Sequence, residues 1–271
     1  MCEEKEKISY RGRIAPTPSG YLHRGHVETF KVAYQRAQER NGKIVFRNDD
    51  IDKNRSKKKF FQAAIEDLKG LGIEWDEGPD CGGKFGPYNQ SERGELYFNI
   101  LAMLAQMGFI YPCSKSRKNI EKFDLKSREG NEFLFPKKLR PSISKKSITQ
   151  IDLTTNWRFW TEWGSQVSFL DERVGEIKFE IGRDFSDFLV WRKEGVASYE
   201  LATVVDDHLM QISEVVRGED LLISSARQCL LFDALGWSTP SFYHCKLLYG
   251  SDGKKLSKST RTLPRLYAFD C

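Results

Sequence analysis

His23-Arg24-Gly25-His26 sets two imidazoles three residues apart around a glycine, and near the other end of the chain Lys254, Lys255 and Lys258 follow the turn-rich Gly250-Ser251-Asp252-Gly253. The histidines come after Arg13-Ile14-Ala15-Pro16-Thr17-Pro18-Ser19-Gly20, where an apolar strand pattern breaks and a helical one begins. Backbone N–H groups at a helix start carry a partial positive charge, and Gly25 has no side chain to keep a nucleotide from lying on them. His23 and His26 share one face of the first turn. The lysines are mobile point charges suited to a departing pyrophosphate. Together the two segments point to cleavage of ATP between its α and β phosphates. Singly, each has a plainer reading, a pair of surface histidines and a solvated loop.

The elements that must position these groups are legible in the periodicity. Gly12 to Ala15 reads as a first strand, Val27, Phe30, Tyr34 and Ala37 recur at helical spacing, and Lys43 to Arg47 reads as a second strand after Asn41-Gly42. This is a βαβ unit with a parallel sheet, and ligands gather at the carboxyl ends of such strands. Asn48-Asp49-Asp50-Ile51-Asp52 therefore falls on the ligand side, where carboxylates can hold an ammonium. Phe60, Phe61, Ala64, Ile65 and Leu68 mark the next helix, and Leu96, Ile100, Leu101, Leu104 and Met107 a further one after a glycine-rich loop from Trp75 to Tyr88. Two tracts between 157 and 191, broken at Asp171 and Gly175, read as short strands. Val204 to His208 and Val215 to Asp220 both read as strand ends carrying polar clusters, the second followed by a helix from Ala226 to Leu235.

With 271 residues, 39% hydrophobic and 30% charged, the chain can bury a full core. No run approaches the 18 apolar residues of a membrane span, and the charged start from Met1 to Lys7 does not read as a signal peptide, so a cytoplasmic protein without membrane contact is expected. The six cysteines show no CxxC spacing, which fits reduced thiols. The net charge is +5, but residues 115–147 hold eleven Lys and Arg against four Asp and Glu, a local +7 on an otherwise slightly acidic chain. Such a stretch is a candidate contact for a phosphate backbone or a solvated loop.

These residues resemble the catalytic core of the class I glutamyl-tRNA synthetases, and within that family the short glutamyl-queuosine tRNA(Asp) synthetases. The resemblance runs from 11 to 260 and rests on Arg13 to Gly20 with His23 to His26, on Trp75 to Asp80 followed by Gly86 to Arg93, on Val204 to Met210, on Val215 to Asp220, and on Lys255 to Ser259. It implies an α/β fold: a Rossmann-type parallel-sheet nucleotide-binding domain in two halves, 8–110 and 184–271, around an inserted connective subdomain, 111–183, that binds the acceptor. It also implies that glutamate attacks the α-phosphorus of ATP and that an RNA hydroxyl then takes the glutamyl group, by positioning and charge stabilisation without a protein nucleophile.

Carried over by position, L-glutamate would be held by Arg13, Ala15, Thr17, Asp49, Tyr199 and Arg217, with Arg217 pairing its side-chain carboxylate. His23, Gly25, His26, Lys255 and Lys258 would hold ATP, with His23, His26 and Lys258 acting in the first step and Mg2+ arriving with the nucleotide. Asp206, Asp207 and His208 would brace the pocket floor. The tRNA would be met by the basic insert 115–147, and the protein would act as a monomer. Length favours the short paralogues.

Two features depart from the family pattern. Asp49 stands where the family has Glu, which bears on the amino acid chosen. Many short paralogues hold zinc through a set answered here by Cys113, Lys115, Phe135 and Leu139, and one thiolate cannot fill a tetrahedral site, so zinc is not expected and the insert would be held by packing through Phe133, Phe135 and Leu139. Two other classes are open: a small-molecule nucleotidyltransferase sharing the HxGH site, and a non-catalytic RNA-binding paralogue.

Overall fold

The apolar runs of the first fifty residues form strand, helix and strand as their spacing requires. The computed structural model describes residues 10–142 and 147–248, so Lys255 and Lys258 lie outside the described residues. In chain order the elements are β1 (Arg11–Ile14), α1 (Arg24–Glu39), β2 (Lys43–Phe46), α2 (Lys58–Gly70), α3 (Gly94–Gln106), β3 (Ile110–Cys113), α4 (Arg117–Glu121) and β4 (Asn156–Phe159). They continue with β5 (Gln166–Asp171), β6 (Gly175–Glu180), β7 (Leu189–Arg192), β8 (Val196–Ala197), α5 (Tyr199–Leu209), β9 (Glu214–Gly218), α6 (Leu222–Ala234) and β10 (Ser241–Cys245). Two compact units emerge, one of residues up to 92 with 209–220 and 240 onward, the other of 93–208 with 221–239. The boundaries 111–183 describe an insertion in chain order and stand as a proposal.

In the first unit β1 and β2 are parallel, Arg13 opposite Val45, and β9 and β10 are parallel, Arg217 opposite His244. β9 runs beside β1 in the same direction: Ser213 N donates to Arg11 O at 2.9 Å and Arg13 Nη1 to Val216 O at 2.8 Å. Helix α1 covers the sheet with Val27, Phe30, Ala33 and Ala37, which join Ile14, Ile44, Phe46, Leu68 and Val216 in one core cluster. Asn41 takes the left-handed conformation that ends α1, and Gly42 must be glycine because a Cβ there would meet Tyr10 at 2.5 Å.

The far edge of β2 is not left open. Phe46 N donates to Glu77 O and Asn48 N to Tyr88 O, so the segment from Trp75 to Arg93 lies along that edge and satisfies it. Arg11 Nη1 and Tyr88 Oη both donate to Glu77, at 2.8 and 2.6 Å, which pins the loop to β1. Burial next to Glu77 pushes the Tyr88 phenol up to about 12.

Glu214 ties the start of β9 to α1 and the chain before β1, accepting from Arg36 Nε and Nη2 at 2.7 and 2.6 Å and from Tyr10 Oη at 2.6 Å. Burial opposes its charge, but the hydrogen bonds from Arg36 and Tyr10 and the nearby guanidinium groups outweigh it and hold the carboxyl below the usual range. A carboxyl depressed on folding contributes stability that is complete above the unfolded value, about 4.3, and is lost as pH falls through the folded value. The urea midpoint is therefore expected to hold from pH 7 to about 5 and to drop below about 4.3, with Glu214→Gln less stable at pH 7 and shallower in its acid loss. An unchanged acid slope in that variant would contradict this.

In the second unit β3, β4, β7 and β8 form an antiparallel sheet in that order and β5 and β6 a hairpin. Two expectations change here. Val204 to His208 does not end a strand but lies in α5, buried on nearly every side from Leu201 to Asp207. A fully buried helix and a buried strand look alike in apolar pattern; the missed signal was Ser198, whose Oγ caps the helix by accepting from Leu201 N at 3.3 Å. Helix α3 turns inward with Tyr97, Leu101, Leu104 and Ala105, leaving Leu96 and Met107 exposed, because Tyr97 Oη reaches buried Asp206 at 3.0 and 3.1 Å.

Cys113 and Phe135, two of the positions compared with zinc ligands, share an apolar cluster with Tyr111 and Ile120, and Phe133, Leu139 and Trp160 pack against it. Lys115 is exposed. Beside the cluster, Asp187 accepts from Tyr111 Oη, from Arg140 through two nitrogens, and from Thr161 N and Oγ1. Several cations of the basic stretch are thus engaged internally: Arg140 on Asp187, Arg128 on Asp184 and Arg117 on Glu121.

Candidate functional site

Three parallel strands of the first unit end on one side, and the sequence-expected residues sit at those ends. Past β1 the chain stays extended beside the continuation of β2, with Arg47 N donating to Ile14 O and Asp49 N to Pro16 O. Arg13 is buried on β1 with its guanidinium at β9, Ala15 is half-buried and Thr17 exposed, while Arg217 is buried near the end of β9. The first unit thus gathers Arg13, Ala15, Thr17, His23, Gly25, His26, Asp49 and Arg217. Tyr199 belongs to the second unit, at the start of α5.

His23 is the N-cap residue of α1, and His26 Nδ1 accepts from His23 N at 3.3 Å. With Nδ1 accepting, neutral His26 carries its proton on Nε2. The two rings lie 3.7 Å apart. A Cβ on Gly25 would stand 3.0 Å from two atoms of the His23 ring, so a side chain here would push the ring aside by a few tenths of an ångström. The first turn of α1 has no acidic side chain to occupy its positive end.

Two partners of the site were not anticipated. Asp49, 5% exposed, accepts at Oδ1 from Arg47 Nε at 2.7 Å, and Arg47 itself is fully buried. The two residues are two apart on extended chain and so share a face. Arg47 Nη2 also reaches Asp49 Oδ2 at 3.5 Å, so the guanidinium orients the carboxylate through both oxygens. The second partner is His244, fully buried on β10, whose Nε2 faces Arg217 Nε at 3.4 Å; the Arg217 guanidinium also lies 5.2 Å from the Phe242 ring centre. A neutral imidazole and a ring face orient the guanidinium without cancelling its charge.

Asp206 is buried and bound by Arg93 and Tyr97 within the second unit, which gives it a bracing part. Among the described residues no group of three or more His, Cys, Asp or Glu side chains could hold a metal ion. Among them also, no helix is long and apolar enough to cross a membrane.

Comparisons with known proteins identify the family. The sequence model of the class I tRNA synthetases (E and Q), catalytic domain, matches residues 9–266. The chain is 42% identical over 251 residues to a glutamyl-Q tRNA(Asp) synthetase of Symbiobacterium thermophilum, covering 91% of this chain and 77% of that protein. It is 38% identical to a glutamate–tRNA ligase of Syntrophus aciditrophicus, covering 92% of this chain and 51% of the ligase. Among solved structures it is similar to a glutamate–tRNA ligase of Elizabethkingia meningosepticum, with a TM-score of 0.78 and 28% identity over 92% of this chain and 52% of that one. The chain thus spans about half the length of the glutamate–tRNA ligases it matches.

Proposed function

Because the chain belongs to the class I tRNA synthetases of the E and Q catalytic-domain family, we propose that it activates glutamate with ATP and transfers the glutamyl group to a tRNA, with the queuosine of tRNA(Asp) as the acceptor. The carrying observation is the buried Arg217 guanidinium, oriented by His244 and Phe242 at the strand ends where Arg13 and Asp49 also lie. A planar, permanently charged guanidinium favours a carboxylate over its amide, which is the choice of glutamate over glutamine.

In this reading Arg217 holds the side-chain carboxylate and Asp49, fixed by Arg47, accepts from the α-ammonium. An oxygen of the α-carboxylate attacks the α-phosphorus of ATP, the bond to the β-phosphate bridge breaks, and pyrophosphate leaves. His26, with its proton on Nε2, and the N-terminus of α1 stabilise the charge that develops on the phosphates. Lys255 and Lys258 would assist the departing pyrophosphate, and Mg2+ would be carried on the ATP phosphates. A hydroxyl of the RNA then attacks the mixed anhydride and AMP leaves.

Gly25→Ala separates this role from stability. Alanine favours a helix interior over glycine by up to about 1 kcal/mol, so the thermal midpoint is expected to stay or rise. ATP affinity measured by calorimetry is expected to fall by about tenfold as the His23 ring is displaced; unchanged affinity would remove the first turn of α1 from the nucleotide site.

The function is tested by incubating the protein with ATP, labelled glutamate and total tRNA, then mapping the labelled nucleotide. Label in the anticodon loop of tRNA(Asp) is expected. Label at the 3′ end instead would give the chain the acceptor of a glutamate–tRNA ligase, and label on no RNA would favour a small-molecule nucleotidyltransferase.

A further inference from the structure

The segment from Lys53 to Lys59 carries five cations and no carboxylate, and it leads into α2 against electrostatic preference. A helix N-terminus is its positive end and favours acidic side chains. Here the N-cap residue is Lys57, no side chain caps the helix, and the first turn has no acid. Among the described residues Lys53, Lys57 and Lys58 have no carboxylate partner, and all three line a cleft of about 630 Å3. That size falls within the range of ligand clefts, about 300–1,000 Å3.

The floor of the cleft makes a second and different demand. Asn48 lines it at 6% exposure, with Nδ2 donating to Asn89 Oδ1 at 2.9 Å. Asn89 Nδ2 in turn donates to Glu92, which fixes the amide orientation of the pair. Asn48 Oδ1 is thereby left buried with no donor facing it, as is the hydroxyl oxygen of Ser56 on the opposite side. Two carboxylates also line the cleft and are oriented by neutral donors: Asp50 accepts from Ser91 N and Oγ at 2.9 and 2.8 Å, and Glu92 from Asn89. What is unmet are two buried oxygens, Asn48 Oδ1 and Ser56 Oγ, in a cleft that three cations and a helix N-terminus also line.

We propose that this cleft is a ribose-phosphate site, with the phosphate on Lys53, Lys57, Lys58 and the α2 N-terminus and a ribose hydroxyl donating to Asn48 Oδ1. A bare phosphate leaves the acceptor unmet, and a deoxyribose lacks the 2′-hydroxyl that marks RNA. Alternation along the extended chain puts Asn48 on the opposite face from Asp49, so the cleft is distinct from the strand-end site. The sugar phosphate belongs to an RNA strand or to a free nucleotide; the RNA source rests on the proposed acceptor being an RNA.

The test is binding in the absence of amino acid and ATP, so that failure of glutamate activation leaves it readable. Fluorescence anisotropy compares a single-stranded RNA with the DNA of the same sequence, and calorimetry uses ribose 5-phosphate. With Lys53→Gln, Lys57→Gln and Lys58→Gln combined, RNA affinity is expected to fall at least tenfold at 0.1 M salt, and the slope of log affinity against log salt to shrink by about 0.7, the loss of one single-strand phosphate contact. Asn48→Leu, checked for folding by circular dichroism, is expected to bring RNA affinity down to that of DNA. Lysine-dependent binding of ribose 5-phosphate without RNA binding would support the site and make its ligand a free nucleotide. Affinities unmoved by the lysine changes, or equal for RNA and DNA in the unaltered protein, would overturn it.

Discussion

Arg217→Gln is expected to lower glutamate-dependent pyrophosphate exchange by about 10²-fold or more, chiefly as a higher KM for glutamate, with the KM for ATP little changed. The physical basis is the loss of a desolvated charge pair. Removing one partner of a buried, hydrogen-bonded ion pair costs about 2–5 kcal/mol, because the other charge is left without compensation. Arg217→Lys is expected to recover only part of the loss, since an ammonium cannot reproduce a two-pronged contact and would leave His244 and the face of Phe242 without their partner. Kinetics with both substrates varied check this. A glutamine variant within threefold of the unaltered protein would show that the guanidinium does not touch the amino acid.

The largest effect on stability is expected at Arg93. Its Nε donates to Asp206 Oδ1 at 2.6 Å, both residues are almost wholly buried, and Tyr97 Oη also reaches both oxygens of Asp206. Arg93→Met removes the guanidinium from a buried carboxylate, a change worth about 3–5 kcal/mol. Arg93→Met combined with Asp206→Leu removes both charges and is expected to recover most of that loss. Urea denaturation of the three proteins decides it: a single variant within 1 kcal/mol of the parent, or a double variant less stable than the single, would mean that this pair is not what fixes α3 to α5.

The part of the candidate site nearest the start of the chain was the most legible, and for a local reason. β1, α1 and β2 are short, follow one another directly, and are built from residues whose burial follows period two or 3.6, so His23, His26 and the run Asn48 to Asp52 could be placed from spacing, whereas Arg13 and the choice of Asp49 within that run came from the family resemblance. Arg47 could have been paired with Asp49 by the same rule. His244 could not, since its contact with Arg217 exists only through the parallel register of β9 and β10. The β-branched run in α5 imitated a strand because burial on all sides erases periodicity, and Ser198 at its start was the available correction. Charge counting drew attention to 115–147, whereas the structure engages several of those cations internally and leaves Lys53, Lys57 and Lys58 facing a cleft. A sum of charges does not distinguish cations that hold a fold from cations that await a ligand.

The proposed reaction makes an aminoacyl-adenylate, with glutamate as the amino acid in spite of Asp49. ATP–pyrophosphate exchange with glutamate, glutamine and aspartate, each with and without total tRNA, tests it most directly. Exchange with glutamate at least 10²-fold above that with glutamine, and abolished by His26→Ala, is the expected result. Exchange that proceeds equally without any amino acid, or prefers aspartate or glutamine, would contradict the account.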